Sequence, residues 1–236
     1  MTDLPDLLKT EAAIIEQTNA FRRSEKLSPV TINAELTAAA RLYADYLART
    51  GKFAHEADGR QPGDRVKAAG YKFCHVAENL AMHLDSRGFK TEVLATKAVE
   101  GWKASPGHRK NMVAPNVTEI GVGVIQARDQ HPKFLSVQLF ARPEHLKIQF
   151  RIENKARSSV NYQAWGRSHG IEPRVSITHT TCEPTEIAFE RAGNFLTGVK
   201  LGARFEARDR TVYSVIETAD GKVRVDISAF PAMNKK

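Results

Sequence analysis

The chain of 236 residues holds only two cysteines, Cys74 and Cys182. That is too few for the disulfide framework by which small secreted domains compensate for a thin core. Stability must therefore come from packing. Each cysteine is expected to be a small buried apolar residue and the two are expected not to pair, with an interdomain disulfide as the alternative. Also missing is any run of the ~18 to 20 apolar residues that a membrane-spanning helix requires, so no transmembrane segment is expected. Met1-Thr2-Asp3-Leu4-Pro5-Asp6 carries acidic residues where a secretory signal carries basic ones, and no export signal is read in the sequence as it stands. Two chemical signatures are absent as well: the His-Glu-x-x-His of zinc proteases and the nucleophile elbow of serine hydrolases.

What is present is ordinary globular composition, 42% hydrophobic and 26% charged. The length allows one large domain or two small ones. The net charge is +8, and it is not even: residues 1–145 hold 20 Lys and Arg against 17 Asp and Glu, residues 146–236 hold 15 against 10. The later part is the more basic by residue. Its cations are scattered among strand-like segments, which points to a solvated surface rather than to nucleic-acid binding.

The hydrophobic period changes along the chain. Leu7, Leu8, Ala12, Ile15 and Phe21 recur at helical spacing. A second helix opens at Asn33 as N-cap, shows Leu36, Ala39, Ala40, Tyr43 and Leu47 on one face, and stops before Gly51. Pro62 opens a short helix through Ala69, closed by Gly70, and Thr91 caps another from Glu92 towards Trp102. After Pro115 the period becomes two. Ile120, Val122 and Val124, then Leu135, Val137 and Leu139, read as two antiparallel strands. Helices around an antiparallel sheet give an α+β layered domain over residues 1–143.

Beyond Pro143 the helical period disappears. Residues 148–152, 160–165, 174–177, 211–216 and 223–227 alternate as strands, and Asp220-Gly221 is a hairpin signal. Residues 144–236 are read as a smaller all-β domain, sandwich-like, serving to bind or dock.

Three short stretches carry the chemistry: Phe53-Ala54-His55, Ala77-Glu78-Asn79 and Ser105-Pro106-Gly107-His108-Arg109-Lys110-Asn111. Each chemical residue stands beside a structure-punctuating one rather than inside a hydrophobic repeat, as the members of a shared polar site do. Histidine can be a neutral metal ligand or a proton carrier near neutral pH, and a carboxylate beside it can orient it or hold a metal-bound water. His55, Glu78 and His108 are the candidates for any catalytic role. Ser105 and His108 could be nucleophile and base, but a cap on the helix opened by Pro106 explains Ser105 more economically. Arg109, Asn111 and Glu119 are expected to fix loops by hydrogen bonds.

These stretches, in order with Asp64 to Tyr71, Gly101-Trp102, Thr118 to Gly123 and the strand ending in Phe140, resemble the CAP superfamily of cysteine-rich secretory, antigen-5 and pathogenesis-related proteins in its bacterial form. The resemblance covers roughly residues 10 to 142. It implies a three-layer α-β-α sandwich, an extracellular or envelope location, and a His/Glu cleft in which His55, Glu78 and His108 match three of four family positions. The fourth, a glutamate just after the tryptophan, is replaced by Lys103, Ala104 and Ser105; Glu100 is left open between cleft and solvated helix. The cleft lining is therefore expected to be Glu78, Glu100, Ser105 and Arg109, with zinc held weakly by His55 and His108. The implied function is binding of a divalent cation or a small ligand such as a lipid, with the β domain docking to a cell-surface glycan or protein. A metal-assisted hydrolase or protease is the alternative.

Overall fold

The computed structural model describes residues 3–191, 200–218 and 223–230, and the chain forms two compact units, Met1–His145 and Leu146–Lys236.

In the first unit, α1 (Leu7–Ser24) begins where the Asp6 carboxylate accepts from the Lys9 N–H, satisfying one of the donors that every helix start leaves open. α2 (Ala34–Thr50) is capped by Asn33 and ends at Gly51, whose φ of 70° is the left-handed conformation that glycine adopts without strain. α3 (Pro62–Ala68), α4 (Thr91–Ala104) and α5 (Pro106–Met112) follow. Thr91 is not the cap expected of it: Lys90 holds that position without a side-chain bond, and the Thr91 hydroxyl accepts instead from the Asp6 N–H at 3.0 Å.

Strands β1 (Thr31–Ile32), β2 (Phe73–Leu84), β3 (Glu119–Ala127) and β4 (Lys133–Pro143) form one sheet in the order β1-β3-β4-β2. β3, β4 and β2 are antiparallel neighbours, and the short β1 joins β3 in parallel. The central β4 is apolar on both sides. Leu135, Val137, Leu139 and Ala141 pack with Leu36, Tyr43 and Leu47 of α2 and Val66 of α3. Phe134 and Phe140, with Ile120, Val122 and Val124 of β3, pack with Ile14 of α1 and Leu94 and Trp102 of α4. A sheet buried between two helical layers follows from that alternation. Gly121 and Gly123 set the depth of one layer: a Cβ at Gly121 would stand 2.2 Å from the Leu36 carbonyl carbon, and one at Gly123 2.4 Å from the Arg41 nitrogen. The backbone of α2 therefore rests directly on β3.

In the second unit, β5 (Ile148–Asn154), β6 (Val160–Ala164), β7 (Arg167–Ile171), β8 (Ser176–Thr181), β9 (Glu186–Arg191), β10 (Lys200–Glu206), β11 (Thr211–Glu217) and β12 (Val223–Ala229) form two four-stranded sheets, β10-β9-β6-β7 and β12-β11-β5-β8. Phe150, Ile152 and Tyr213 from one sheet share a core with Tyr162, Ile187 and Phe189 from the other. Asp220-Gly221 lies outside the described residues, but the strands on either side pair antiparallel, with Glu217 opposite Val223. The strand expected at 174–177 starts two residues later, after Arg174 turns the chain at φ 63°.

The cysteine expectation is corrected. Neither is a free thiol; Cys74 and Cys182 are both disulfide-bonded. Both are only partly buried, so the premise of two sequestered apolar thiols does not hold.

Candidate functional site

The glycine stop of α2 releases the chain into a tight turn that carries His55. Tyr43 of α2 pins that turn, its hydroxyl donating to the Ala54 carbonyl and accepting from the Ala57 N–H. Glu78 arrives from the middle of β2, the outer strand of the sheet, with its side chain 1% exposed. A carboxylate so deeply buried must be compensated, and it is compensated twice. His55 Nδ1 lies 2.8 Å from one oxygen and Arg65 Nη2 2.8 Å from the other.

Arg65 organises the rest. It reaches out of the short helix α3 and donates to the carbonyls of His55 and Arg60, each at 2.9 Å, and to the Asp58 carboxylate at 2.9 Å. Its guanidinium also lies 3.4 Å over the centre of the Tyr43 ring, a stacked geometry that suits a planar cation. Nothing in the sequence singles this residue out. Its motif segment is visible there, but an arginine in a seven-residue helix carries no spacing signal that distinguishes it from a solvated charge.

His108 comes from α5, which is tied to β2 by side-chain amides. Asn111 donates to the Glu78 carbonyl at 3.1 Å and to the Asn79 side chain at 2.9 Å, and Asn79 donates to the His108 carbonyl at 3.2 Å. Asn79 also bonds Gln138, which bonds Thr18, so a buried polar chain runs from α1 to α5. The two imidazoles feel opposite fields. The Glu78 carboxylate raises the His55 pKa against the opposing effect of burial. Burial, followed by the charge of His55, lowers that of His108. The His55 imidazole is thus shifted towards the charged form and that of His108 towards the neutral one.

An open cavity of about 500 Å³ is bounded by His55, by Gln61 to Gly63 and by the Phe73 to Glu78 run of β2. Its wall does not include His108, Glu100, Ser105 or Arg109. Glu100 is exposed on α4 and paired with Lys103 at 2.7 Å. Arg109 turns towards α1, pairing with Glu25 at 2.8 Å beside the Phe21 ring. Ser105 occupies the N-cap position of α5 without making the side-chain bond expected of it. Glu119 accepts from the Tyr71 hydroxyl. Among the described residues no three His, Cys, Asp or Glu side chains converge as a ligand set for a metal, and both oxygens of Glu78 are already engaged. The donor set does not fit a closed zinc centre; it offers two imidazoles at most.

A sheet between two helical layers, with a His/Glu/Arg cluster at its outer strand, defines a class of small α-β-α domains. The family model for the CAP, cysteine-rich secretory protein family matches residues 15–140, and the chain belongs to this family as a bacterial member. It is 33% identical over 118 residues to the uncharacterized protein YkwD of Bacillus subtilis, covering half of this chain and 43% of that protein; the chain spans less than half the length of that curated relative. Similar solved structures include an extracellular SCP-domain protein of Bacillus anthracis, 25% identical with a TM-score of 0.48, covering 58% of this chain and 41% of that one. Another is an outer surface protein of Borrelia burgdorferi, 21% identical with a TM-score of 0.49, covering 57% of this chain and 93% of that one. Among the described residues no helix is long and apolar enough to cross a membrane.

Proposed function

We propose that the first unit is a binding module whose cleft takes a divalent cation such as zinc, or a small polar ligand, at the imidazoles of His55 and His108. The observation that carries this reading is the fixing of His55 by Glu78 and Arg65. A buried carboxylate bonded to Nδ1 leaves Nε2 as the ring nitrogen available to a ligand, which is how carboxylates orient and strengthen metal-binding histidines. Glu78 orients and does not ligate. With two imidazoles and no third protein ligand, affinity is modest and falls as the imidazoles protonate, His55 first because Glu78 raises its pKa above the usual value, and His108 only at lower pH. Calorimetric titration with zinc tests this. Wild type should bind, His55→Ala and His108→Ala should lose binding, and Glu78→Gln should weaken it by roughly 10- to 100-fold. Equal affinity in all four proteins would sink the proposal.

A hydrolytic reading draws on the opposed shifts of His55 and His108, since a charged and a neutral imidazole make an acid–base pair. Turnover of a peptide or ester library that is lost in both histidine variants would favour it. For the second unit we propose an all-β sandwich that docks the chain to a cell-surface glycan or protein. An extracellular or envelope location, in keeping with membership of a secretory protein family, would put such a surface within reach. Retention of the full chain on washed envelope material, competed by soluble glycan, is the expected result.

A further inference from the structure

A second cavity in the first unit, about 330 Å³, lies where α2 ends and β3 turns into β4. Buried Leu47, Ala127 and Leu135 form its floor. Four cations surround it: Arg49, Lys52, Arg128 and Lys133. Arg49 is committed to Asp45 at 2.7 Å and Lys133 to Asp129 at 3.3 Å. Lys52 and Arg128 have no carboxylate partner among the described residues, so the rim keeps an excess of positive charge.

The same rim is apolar where a soluble surface has no use for it. Phe53 and Met82 line the cavity at 45% and 46% exposure, and Leu84, on the same face of β2 as Met82 and directly opposite Lys133, is 49% exposed. Of ten large apolar side chains exposed among the described residues, three therefore stand together beside the unpaired cations. A soluble anion would engage the cations and leave Phe53, Met82 and Leu84 in water. An anionic bilayer surface satisfies both sets at once, phosphates meeting Lys52 and Arg128 while the apolar tips enter the boundary between headgroups and acyl chains.

We propose that this face is a docking surface for anionic phospholipid bilayers, separate from the His/Glu cleft and independent of what that cleft binds. Each Lys or Arg near an anionic surface contributes about fivefold in partitioning, and the attraction is screened by salt. Co-sedimentation of the full chain with vesicles of phosphatidylcholine, alone or mixed with phosphatidylglycerol, reads it out. Wild type should sediment with the mixed vesicles at low salt and not with the neutral ones. Lys52→Ala/Arg128→Ala should lower partitioning by roughly tenfold or more. Phe53→Ser/Met82→Ser should weaken it while leaving the melting transition in place, because the replaced side chains are half exposed. Unchanged binding by the charge variant, or equal binding to neutral vesicles, would overturn the proposal. So would inorganic polyphosphate binding that matches vesicle binding and ignores the Phe53/Met82 change, since that would make the site a soluble-polyanion site.

Discussion

Glu78 shows how a single buried charge dictates its neighbours. One carboxylate with 1% exposure requires two partners, and Arg65 and His55 are what the fold supplies. Removing one partner of a buried pair leaves the other charge uncompensated, typically at a cost of about 3 to 5 kcal/mol. Arg65→Ala should therefore destabilise the protein by about that much, measured by urea unfolding, and should loosen the turn that holds His55. A cost under about 1 kcal/mol would mean that water replaces the guanidinium. Glu78→Gln removes the main cause of the raised His55 pKa, so the His55 titration followed by NMR should move downwards. The sign of the linked stability is fixed by the same shift: His55 stabilises the fold below about pH 6.5 and loses that contribution as pH rises through its raised value. In Glu78→Gln that contribution should vanish. His55 and Glu78 were legible in the sequence through the short segments Phe53 to His55 and Ala77 to Asn79 that resemble the family's, although Glu78 lies in the middle of β2. Arg65 was not, because its importance comes from what lies across the fold.

At the scale of elements, the alternating strands β3 and β4 and the capped helix α2 could be read directly, since Asn33, Gly51 and the apolar spacing each carry a local physical cause. Two of the missed strands have local causes too. β7 is short and mostly polar, and β10 contains an irregularity between Leu201 and Arg204 that breaks the two-residue period. What no periodicity could show is that Gly121 and Gly123 are spacers. In sequence they only alternate with Ile120, Val122 and Val124; in the fold they are where the α2 backbone touches the sheet. Gly121→Ala or Gly123→Ala must push helix and strand apart, because the nearest atoms are backbone and cannot rotate away. Each should cost about 1 to 3 kcal/mol or more, the range for overpacked interiors, visible as a lower urea midpoint. A glycine-to-alanine change that left the midpoint in place would mean that α2 slides without penalty.

Across the whole molecule, the two units share one titration problem. Each holds a histidine that burial keeps towards the neutral form: His83 in β2 of the first unit and His179 in β8 of the second. The next cause is also positive charge, from Lys97 on His83 and from His169 on His179. Around His179 the packing explains the shift further. Its ring lies among Phe150, Trp165 and His169, and its Nε2 is 2.6 Å from the Tyr162 hydroxyl, a group whose pKa burial pushes up to about 12 so that it stays protonated and can donate. For a base whose folded pKa is depressed, the unfolded chain takes up the proton first. The contribution to stability is therefore complete above about pH 6.5 and is lost as pH falls through the folded value. Amide exchange measured at about pH 7 and about pH 5, corrected for the intrinsic exchange rates, should show protection of β6, β7 and β8 falling in acid, on the side of the imidazole range where the ring is charged. His179→Gln keeps a neutral hydrogen-bonding side chain that cannot protonate, so it should flatten the acid response while lowering protection at neutral pH only slightly. An acid response of the same size in that variant would place the sensitive group elsewhere in the second unit.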